Sequence, residues 1–368
     1  MEHYRPTKAI VNLVAIQQNV KSLQQYLPHH TSVIAVVKAD GYGHGDVQVA
    51  QAAIEAGARM VSVATPDEAL RLRDGGITAD ILVMGPSPVK FAEKAAELGI
   101  RVAVSDAEWL RQAILNVEEA AQPLIVHVKI DSGMGRIGLR DEIALQEIVE
   151  LVKGTTAVRL EGAFTHFACA DEEDSCKTEE QFNRFKELVD KFPQKPPLVH
   201  ASNSAATLLY PDFALDAVRF GISLYGIAPS SYVGTKLPFE LKKAFTLETE
   251  LAYVKKLEKG YEISYGGTYK TEQDEWIGTL PIGYADGLKR GLRGQEVLIG
   301  GERMPIVGTI CMDQCMVKLP RSIEVGEKVT LIGKQGDEEI TMEEWADRIG
   351  TIPYEIAVTI GKRVPRIY

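Results

Sequence analysis

Cysteines are few in this sequence, and long apolar or basic runs are absent. Four cysteines among 368 residues cannot form the disulfide framework of a small secreted domain. No stretch reaches the ~18 consecutive apolar residues that a membrane-spanning helix needs. The 41 lysines and arginines against 51 aspartates and glutamates give a net charge of −10, which is unsuited to nucleic acid or an anionic membrane. The first residues lack a signal peptide's apolar core, so we expect a cytoplasmic protein.

The composition is that of a globular protein, and the length suggests about two domains at ~150 residues each. In the first part of the chain, short β-branched runs alternate with amphipathic segments. The eight runs, all candidate strands, lie at 33–37, 60–63, 81–84, 102–104, 125–130, 160–164, 198–200 and 218–222. Between them, apolar residues recur at helical spacing, as at Phe182, Phe185 and Val189.

Eight strand–helix units in about 230 residues predict a (β/α)8 TIM-type barrel. We assign residues 1–240 to this barrel. A doubly wound sheet is the alternative, but it normally carries Gly-x-Gly-x-x-Gly after its first strand, where this chain has Lys38-Ala39-Asp40. Residues 241–368 contain short strand-like runs separated by glycine turns, with only Met342–Ile349 typical of a helix. They predict a mainly β second domain.

Functional side chains of a barrel lie where its strands end. Lys38 directly follows the first predicted strand, where it could either extend to solvent or, if desolvated, form a Schiff base. The loops after strands seven and eight carry Ser204 and Gly221, whose hydroxyl and backbone N–H suit a phosphate. A phosphate site opposite a reactive lysine indicates pyridoxal phosphate, held as an internal aldimine.

A metal site has little support in the sequence. Cys169 and Cys176 after His166, and Cys311 with Cys315, lack the matched ligand pairs of zinc sites. We therefore predict no metal. Two further histidines, His127 and His200, lie in apolar runs and are typical of buried structural histidines.

The run Val-Lys-Ala-Asp-Gly-Tyr-Gly-His-Gly at 37–45 resembles the cofactor-attachment signature of the alanine racemases. The resemblance continues, in order and in both predicted domains, at 129–138, 165–167, 201–205, 219–226, 264–266, 280–287 and 311–314. It implies a homodimer that interconverts L-alanine and D-alanine through an external aldimine of pyridoxal 5'-phosphate. Such an enzyme supplies D-alanine for cell-wall peptidoglycan.

The resemblance also implies roles for individual residues. Lys38 would hold the cofactor and act as one base, and Tyr265, delivered from the second subunit, would act as the other. Arg219 would face the pyridine nitrogen, while His166 would lie against the ring and link Arg219 with Tyr265. The residues that would hold the phosphate are Tyr42, Ser204, Gly221, Ile222 and Tyr354.

Substrate contacts follow from the same resemblance. Arg136 would reach the cofactor's phenolic oxygen and, with the backbone of the partner subunit's Met312, the substrate carboxylate. The positions that line the corridor to the site in the family correspond here to Asp171, Tyr284, Arg290 and Ile352. Thr309 departs from the pattern because many relatives have arginine there, so we expect substrate access or its electrostatics to differ.

Lys129 matches a position that is carbamylated in many family members. A carbamate would turn this cation into an anion and relieve its repulsion with Arg136. The alternative is an ordinary ion pair between Lys129 and Asp131.

Racemisation needs a base on each face of the α-carbon. Lysine and tyrosine both have ordinary pKa values of about 10, so each needs help to act near pH 7. Burial would lower the pKa of Lys38, and the nearby cations Arg219 and His166 would lower that of Tyr265. An arginine at the pyridine nitrogen should keep that nitrogen unprotonated, because two adjacent cations are costly.

Other functions could use the same cofactor. A fold-related decarboxylase would place an acid, not Arg219, opposite the pyridine nitrogen. A pyridoxal-phosphate carrier on a single barrel would lack the β domain. A racemase of broader specificity, acting on serine or larger amino acids, stays open.

Overall fold

A computed structural model describes residues 4–368, which fold as two compact units. The barrel unit comprises Leu13–Gly41 and Gly45–Lys243. The C-terminal unit comprises Ala244–Tyr368 together with Tyr42–His44 and the described residues up to Asn12. The first strand, β1 (Lys8–Val11), therefore belongs to the C-terminal unit. No helix within the described residues is long and apolar enough to span a membrane.

Eight parallel strands of the barrel unit close on themselves, which confirms the predicted (β/α)8 barrel. They are β2 (Ser32–Val36), β3 (Met60–Val63), β4 (Asp80–Val83), β5 (Ile100–Val104), β6 (Leu124–Lys129), β7 (Val158–Phe164), β8 (Leu198–His200) and β9 (Ala217–Phe220). Closure comes from β9 pairing with β2, where Arg219 lies opposite Ile34. These strands are almost wholly buried, as parallel strands covered by helices must be.

Helices lie between most of the barrel strands, as the alternation of strand-like runs with amphipathic segments predicted. Their bounds are Leu13–Tyr26, Asp46–Glu55, Pro66–Asp74, Ala92–Glu97, Ala107–Val117, Glu142–Lys153, Cys176–Val189, Ser204–Leu209 and Ser231–Gly234. Pro66–Asp74 begins with a capping box, in which Thr65 and Glu68 satisfy each other's backbone N–H groups. Cys176–Val189 buries Phe182, Phe185 and Val189 against the barrel unit, as their spacing predicts.

The C-terminal unit is mainly β, as predicted. Its further strands are β10 (Phe245–Glu250), β11 (Tyr253–Leu257), β12 (Glu262–Ile263), β13 (Tyr269–Lys270), β14 (Glu275–Leu280), β15 (Glu296–Ile299), β16 (Glu302–Val307), β17 (Cys315–Leu319), β18 (Lys328–Gln335), β19 (Glu338–Ile340) and β20 (Arg366–Ile367). The main sheet has the order β11-β14-β17-β16-β15-β18-β10-β1-β20. Two helices, Met342–Ile349 and Pro353–Thr359, complete it, and the second was not predicted.

The start of the chain differs from the assignment of residues 1–240 to the barrel. β1 pairs antiparallel with β10, with Lys8 opposite Glu248 and Val11 opposite Phe245, and parallel with β20. Ala9 and Val11 of β1 are buried while Lys8 is exposed, a pattern that differs from the wholly buried strands of the barrel. The partners of β1 lie far along the chain, so local patterning could not assign it.

Candidate active site

Lys38 begins a left-handed turn, separated from the end of β2 by Val37 alone. Ala39, Asp40 and Gly41 have φ angles of 53°, 56° and 59°, and this conformation costs roughly 1–2 kcal/mol for each non-glycine residue. Glu68 of the capping box supports the turn, because its carboxylate accepts a hydrogen bond from the Ala39 N–H at 2.7 Å. Strained backbone of this kind concentrates at functional sites. The left-handed turn was not predicted from the sequence, although Lys38 itself was.

A cationic cluster forms around Lys38 at the C-terminal ends of the barrel strands. It consists of Lys38, Lys129, Arg136 and Arg219, whose charges act on one another. Burial, followed by the repulsion of Arg136 and Arg219, lowers the pKa of Lys38. A lysine with a lowered pKa carries more of the neutral amine, which is the nucleophilic and basic form.

Arg219 is held rigidly among the strand ends. Its Nη2 donates to the carbonyl oxygens of Thr165 at 2.7 Å and Ala201 at 2.8 Å, and its Nη1 donates to the His200 carbonyl at 3.2 Å. Burial lowers the pKa of Arg219 to about 9, so the guanidinium remains charged at neutral pH. The barrel therefore presents a fixed cation beside Lys38.

A buried network of side-chain hydrogen bonds extends from Arg219 across the neighbouring barrel strands. Arg219 donates to His200 Nδ1 at 2.9 Å, so His200 carries its proton on Nε2 and donates to His127 Nδ1 at 3.0 Å. His127 Nε2 in turn donates to Glu161 at 3.1 Å. Although burial opposes ionisation, hydrogen bonds from His127 and Arg101 lower the pKa of Glu161 to about 2. The network thus connects the buried cation Arg219 to the buried anion Glu161.

His166 is not the cation that the sequence interpretation assumed. Burial, and then the charges of Arg219, Lys129, Arg136 and Lys38, lower the pKa of His166 well below its ordinary value. The imidazole is therefore neutral at pH 7, and Nδ1 can accept a hydrogen bond from Arg219 Nη2, which lies 3.4 Å away. Of the two cations expected to assist Tyr265, only Arg219 is charged.

Lys129 is buried, and the aromatic ring of Phe164 lies beneath its amine. Its Nζ lies 4.7 Å from the ring centre, and burial followed by Arg219 and Arg136 lowers its pKa well below the ordinary value. The carboxylate of Asp131 instead accepts hydrogen bonds from the backbone N–H groups of Gly133 and Gly135. This geometry does not favour the ordinary Lys129–Asp131 ion pair.

The predicted phosphate loops come together at the ends of β8 and β9. The Gly221 N–H donates to Ser204 Oγ at 2.8 Å, which joins the two loops directly. Ile222 begins the short 3₁₀ turn Ile222–Tyr225, in which the hydroxyl of Ser223 is buried and has no hydrogen-bond partner among residues 4–368. Buried hydroxyl and amide donors of this kind can bind an anion.

Two tyrosines predicted to hold the phosphate lie together in the C-terminal unit. The rings of Tyr42 and Tyr354 have centres 6.1 Å apart, and burial raises the pKa of Tyr42, so its phenol stays protonated. Gly43 must be glycine, because a Cβ there would lie 2.3 Å from the Ala357 carbonyl oxygen. Arg366 also binds the Gly43 carbonyl oxygen at 2.8 Å.

Tyr265 and Met312 are exposed on the C-terminal unit. Their relative exposures are 73% and 52%. Both line an open groove of ≈ 700 Å³, which also includes Tyr261, Cys311 and Met316. Tyr265 begins the 3₁₀ turn Tyr265–Gly267, directly after Ser264 in a left-handed conformation.

The candidate corridor residues are divided between the two units. Tyr284 and Arg290 begin the turns Tyr284–Asp286 and Arg290–Leu292 of the C-terminal unit, and exposed Ile352 precedes the helix Pro353–Thr359. Asp171 lies in the barrel unit, where its carbonyl oxygen accepts a hydrogen bond from Ser230 at 2.7 Å.

Comparison with known proteins covers the whole chain. Residues 11–229 match the family model of the alanine racemase N-terminal domain, and residues 244–368 match that of the C-terminal domain. An alanine racemase of Geobacillus kaustophilus is 50% identical over 367 residues, covering 100% of this chain and 95% of the relative. The chain belongs to the alanine racemase family. The predicted resemblance is thereby confirmed.

Solved structures of family members superpose closely on this chain. Alanine racemase from Bacillus anthracis with bound L-Ala-P has a TM-score of 0.95 at 46% identity, covering 100% of this chain and 96% of that one. A histidine racemase from Leuconostoc mesenteroides has a TM-score of 0.94 at 31% identity, covering 100% of this chain and 98% of that one. The same fold therefore serves racemases named for different amino acids.

The prediction that His127 and His200 are buried structural histidines is confirmed, because both are fully buried and hydrogen-bonded. Their connection to Arg219, and the participation of Glu161 and Arg101, were not predicted. One signal was available, since polar residues in the middle of neighbouring buried strands must satisfy one another. In this member of the alanine racemase family, His200 contacts Arg219 directly, through Nδ1 and its carbonyl oxygen.

The barrel residues fit pyridoxal phosphate by their chemistry. The cationic cluster lies at strand ends that also present hydroxyl and amide donors, a combination that suits a ligand with a phosphate and an aldehyde. Among residues 4–368, no group of three or more His, Cys, Asp or Glu side chains could hold a metal ion. All four cysteines, which lie in the described part of the chain, are unpaired.

Proposed function

We propose that the protein is a pyridoxal-phosphate-dependent isomerase that interconverts L-alanine and D-alanine. The observation that carries this proposal is Lys38, with its lowered pKa, within electrostatic reach of Arg136 and Arg219 at the ends of the barrel strands. The relatives named alanine racemase, which match over their full length, support alanine as the substrate. When bound, pyridoxal phosphate supplies an electron sink that stabilises negative charge at the α-carbon.

In this proposal, the protein's own residues hold and move protons. Lys38 binds the cofactor and, through Nζ, removes or returns the α-proton on one face of the amino acid. Tyr265 does the same through Oη on the other face. Arg136 and the backbone of the partner subunit's Met312 would bind the substrate carboxylate. Neutral His166 would lie against the cofactor ring, and its Nδ1 accepts a hydrogen bond from Arg219. Ser204, Gly221, Ile222, Tyr42 and Tyr354 hold the phosphate.

The active site is completed by a second copy of the chain. Tyr265 and Met312 carry large exposed side chains on the C-terminal unit, whereas Lys38 belongs to the barrel unit. In a two-fold homodimer, each C-terminal unit can supply its Tyr265 to the barrel of the other chain. The open groove that Tyr265 and Met312 line supports this arrangement, because it leaves both side chains accessible to a second chain.

Circular dichroism tests the function directly. Purified protein supplied with the cofactor and L-alanine alone should abolish the optical signal as the mixture approaches equal amounts of both enantiomers. No keto acid is added, which excludes transamination, and Lys38→Ala provides the inactive control. Release of carbon dioxide would instead indicate a decarboxylase, and an unchanged signal would indicate a cofactor carrier. L-serine and L-histidine are tested in parallel, since a histidine racemase shares the fold.

Substitution of Arg219 by glutamate should slow racemisation by on the order of 10²-fold, the typical effect of removing one fixed electrostatic group. Arg219 disfavours a proton on the pyridine nitrogen, whereas a glutamate would favour one. A protonated pyridine nitrogen would stabilise negative charge from the α-carbon more strongly than an unprotonated one. The Arg219→Glu protein should therefore show a new absorbance band at longer wavelength when alanine is added. Arg219→Lys is the matched control, because it keeps the positive charge. Faster racemisation without a new band would show that Arg219 has another role.

Lys129 is proposed to carry a carbamate. Its amine is buried with a strongly lowered pKa, and the neutral amine is the form that reacts with carbon dioxide. The resulting anion would offset the charges of Arg136 and Arg219. We expect a carbamate carbon resonance in protein prepared with ¹³C-bicarbonate, lost in Lys129→Ala and retained in the surface variant Lys94→Ala. If the carbamate resonance is equally strong in Lys129→Ala and Lys94→Ala, or absent from both, Lys129 is not the modified residue.

The proposed product, D-alanine, is a precursor of cell-wall peptidoglycan. Expression of the chain in a bacterium that lacks its own alanine racemase should therefore allow growth without added D-alanine. Growth that still depends on D-alanine, with the protein present and active on alanine in the extract, would contradict this role. The cytoplasmic location expected from the sequence stays a prediction.

A further inference from the structure

Thr309 forms hydrogen bonds with the turn that carries Tyr265. Its hydroxyl donates to the main-chain oxygen of Tyr265 at 3.0 Å and lies 3.1 Å from the hydroxyl of Thr268. Its own main-chain oxygen accepts a hydrogen bond from Ser264 Oγ at 2.6 Å. A single residue thus bonds the positions before, at the start of and after the turn Tyr265–Gly267.

The backbone next to Tyr265 is strained. Ser264 has φ 67° and ψ −177°, a conformation that is populated essentially only by glycine. Such a conformation persists only where the surroundings hold it, and the hydrogen bond to Thr309 is a direct restraint on it. Gly308 makes this close approach possible, because a Cβ there would lie 2.9 Å from the Ile263 carbonyl oxygen and 3.0 Å from Ser264 Cβ.

The hydrogen bonds of Thr309 require a hydroxyl. Because a threonine hydroxyl has one proton and donates it to Tyr265, Thr268 must donate to Thr309. The side chain at position 309 therefore acts as donor and acceptor together. Valine, which has the same shape, can do neither, whereas serine can do both.

We propose that Thr309 is a positioning residue for Tyr265. The inference rests on the proposed function, in which the Tyr265 phenol exchanges a proton with the α-carbon of alanine. Tyr265 is 73% exposed within its own chain, so few of that chain's side chains restrain the phenol before it reaches the partner subunit. The backbone that carries it is restrained by Thr309. Small displacements of a reacting group lower the rate steeply, so the restraint should show in the kinetics.

Thr309→Val should lower kcat for alanine about 10-fold and leave KM within about twofold, because it affects the reacting geometry more than binding. Thr309→Ser should restore most of the rate. The matched control is Thr235→Val, which removes an equivalent exposed bond from a threonine hydroxyl to the Tyr232 carbonyl oxygen in another turn. We expect the control to behave as the unsubstituted protein.

Deuterium exchange provides a readout that general destabilisation would not change. In deuterated water, Lys38 should still exchange the α-hydrogen of the enantiomer that faces it, while a displaced Tyr265 completes the inversion less often. Thr309→Val should therefore raise the ratio of exchange to inversion for that enantiomer several-fold. Loss of folded protein would lower both rates alike and leave their ratio unchanged.

The outcomes separate this inference from the proposed function. If Tyr265→Phe is inactive but Thr309→Val matches the unsubstituted protein in rate and exchange ratio, Thr309 does not position Tyr265. If Thr309→Ser is as impaired as Thr309→Val, the hydroxyl is not responsible and the inference is wrong. If Tyr265→Phe itself racemises alanine at the full rate, the two-base proposal fails, whatever Thr309 does.

Discussion

Lys38→Ala is expected to lose racemase activity by roughly 10³-fold or more, since one positioned proton-transfer group alone contributes about 10²–10⁴-fold. The same substitution removes the amine that binds the cofactor. The visible absorbance of the purified protein should therefore change to that of non-covalently held cofactor or disappear. Borohydride reduction of the unsubstituted protein should leave the cofactor attached to the peptide that contains Lys38, as mapped by mass spectrometry.

The matched control is Lys94→Ala, which removes a surface lysine paired with Glu97. It should keep both the absorbance and the activity. Lys38→Arg serves as a second variant, because it keeps a cation in the cluster but cannot act as an amine base. Attachment of the reduced cofactor to another lysine, or full activity of Lys38→Ala, would show that Lys38 has been assigned the wrong role.

The barrel and the position of Lys38 could both be predicted from the sequence. Strand positions follow from short β-branched runs, and the helices follow from apolar spacing, because both signals are local. A lysine at the end of a buried strand can be found in the same way. The left-handed conformation of the following turn cannot be predicted in this way, because residues such as Ala39 and Asp40 ordinarily avoid it. Contacts such as the hydrogen bond from the Ala39 N–H to Glu68 hold them there.

Structural features that depend on contacts between residues far apart in the sequence could not be predicted from local sequence patterns. The strand β1 joins the C-terminal sheet through partners far along the chain. The neutral state of His166 follows first from burial and then from basic groups supplied by several strand ends, Arg219 above all. The bonds between Thr309 and the Tyr265 turn likewise join two separate segments. Sequence reasoning singled out His166, Tyr265 and Thr309 but not β1, and it could not establish the protonation of His166 or the partners of Thr309.

Mixing two inactive variants should restore activity if the active sites are shared between subunits. Lys38→Ala and Tyr265→Phe homodimers should each be nearly inactive, because every site lacks one base. After subunit exchange with random pairing, about half of the dimers are hybrids. In each hybrid, one site carries both defects and the other carries neither, so activity should recover to roughly a quarter of that of the unsubstituted protein.

A second mixture controls for effects of exchange itself. Lys38→Ala and Arg219→Glu both alter the barrel unit, so each site of their hybrid keeps one defect and no recovery is expected. Mass spectrometry of the intact dimers measures how far exchange has proceeded in both mixtures. Recovery in the first mixture alone requires that Lys38 and Tyr265 of one site come from different chains. Confirmed exchange without recovery would require that one chain supplies both residues, and the shared site proposed from the exposed Tyr265 and Met312 would then be wrong.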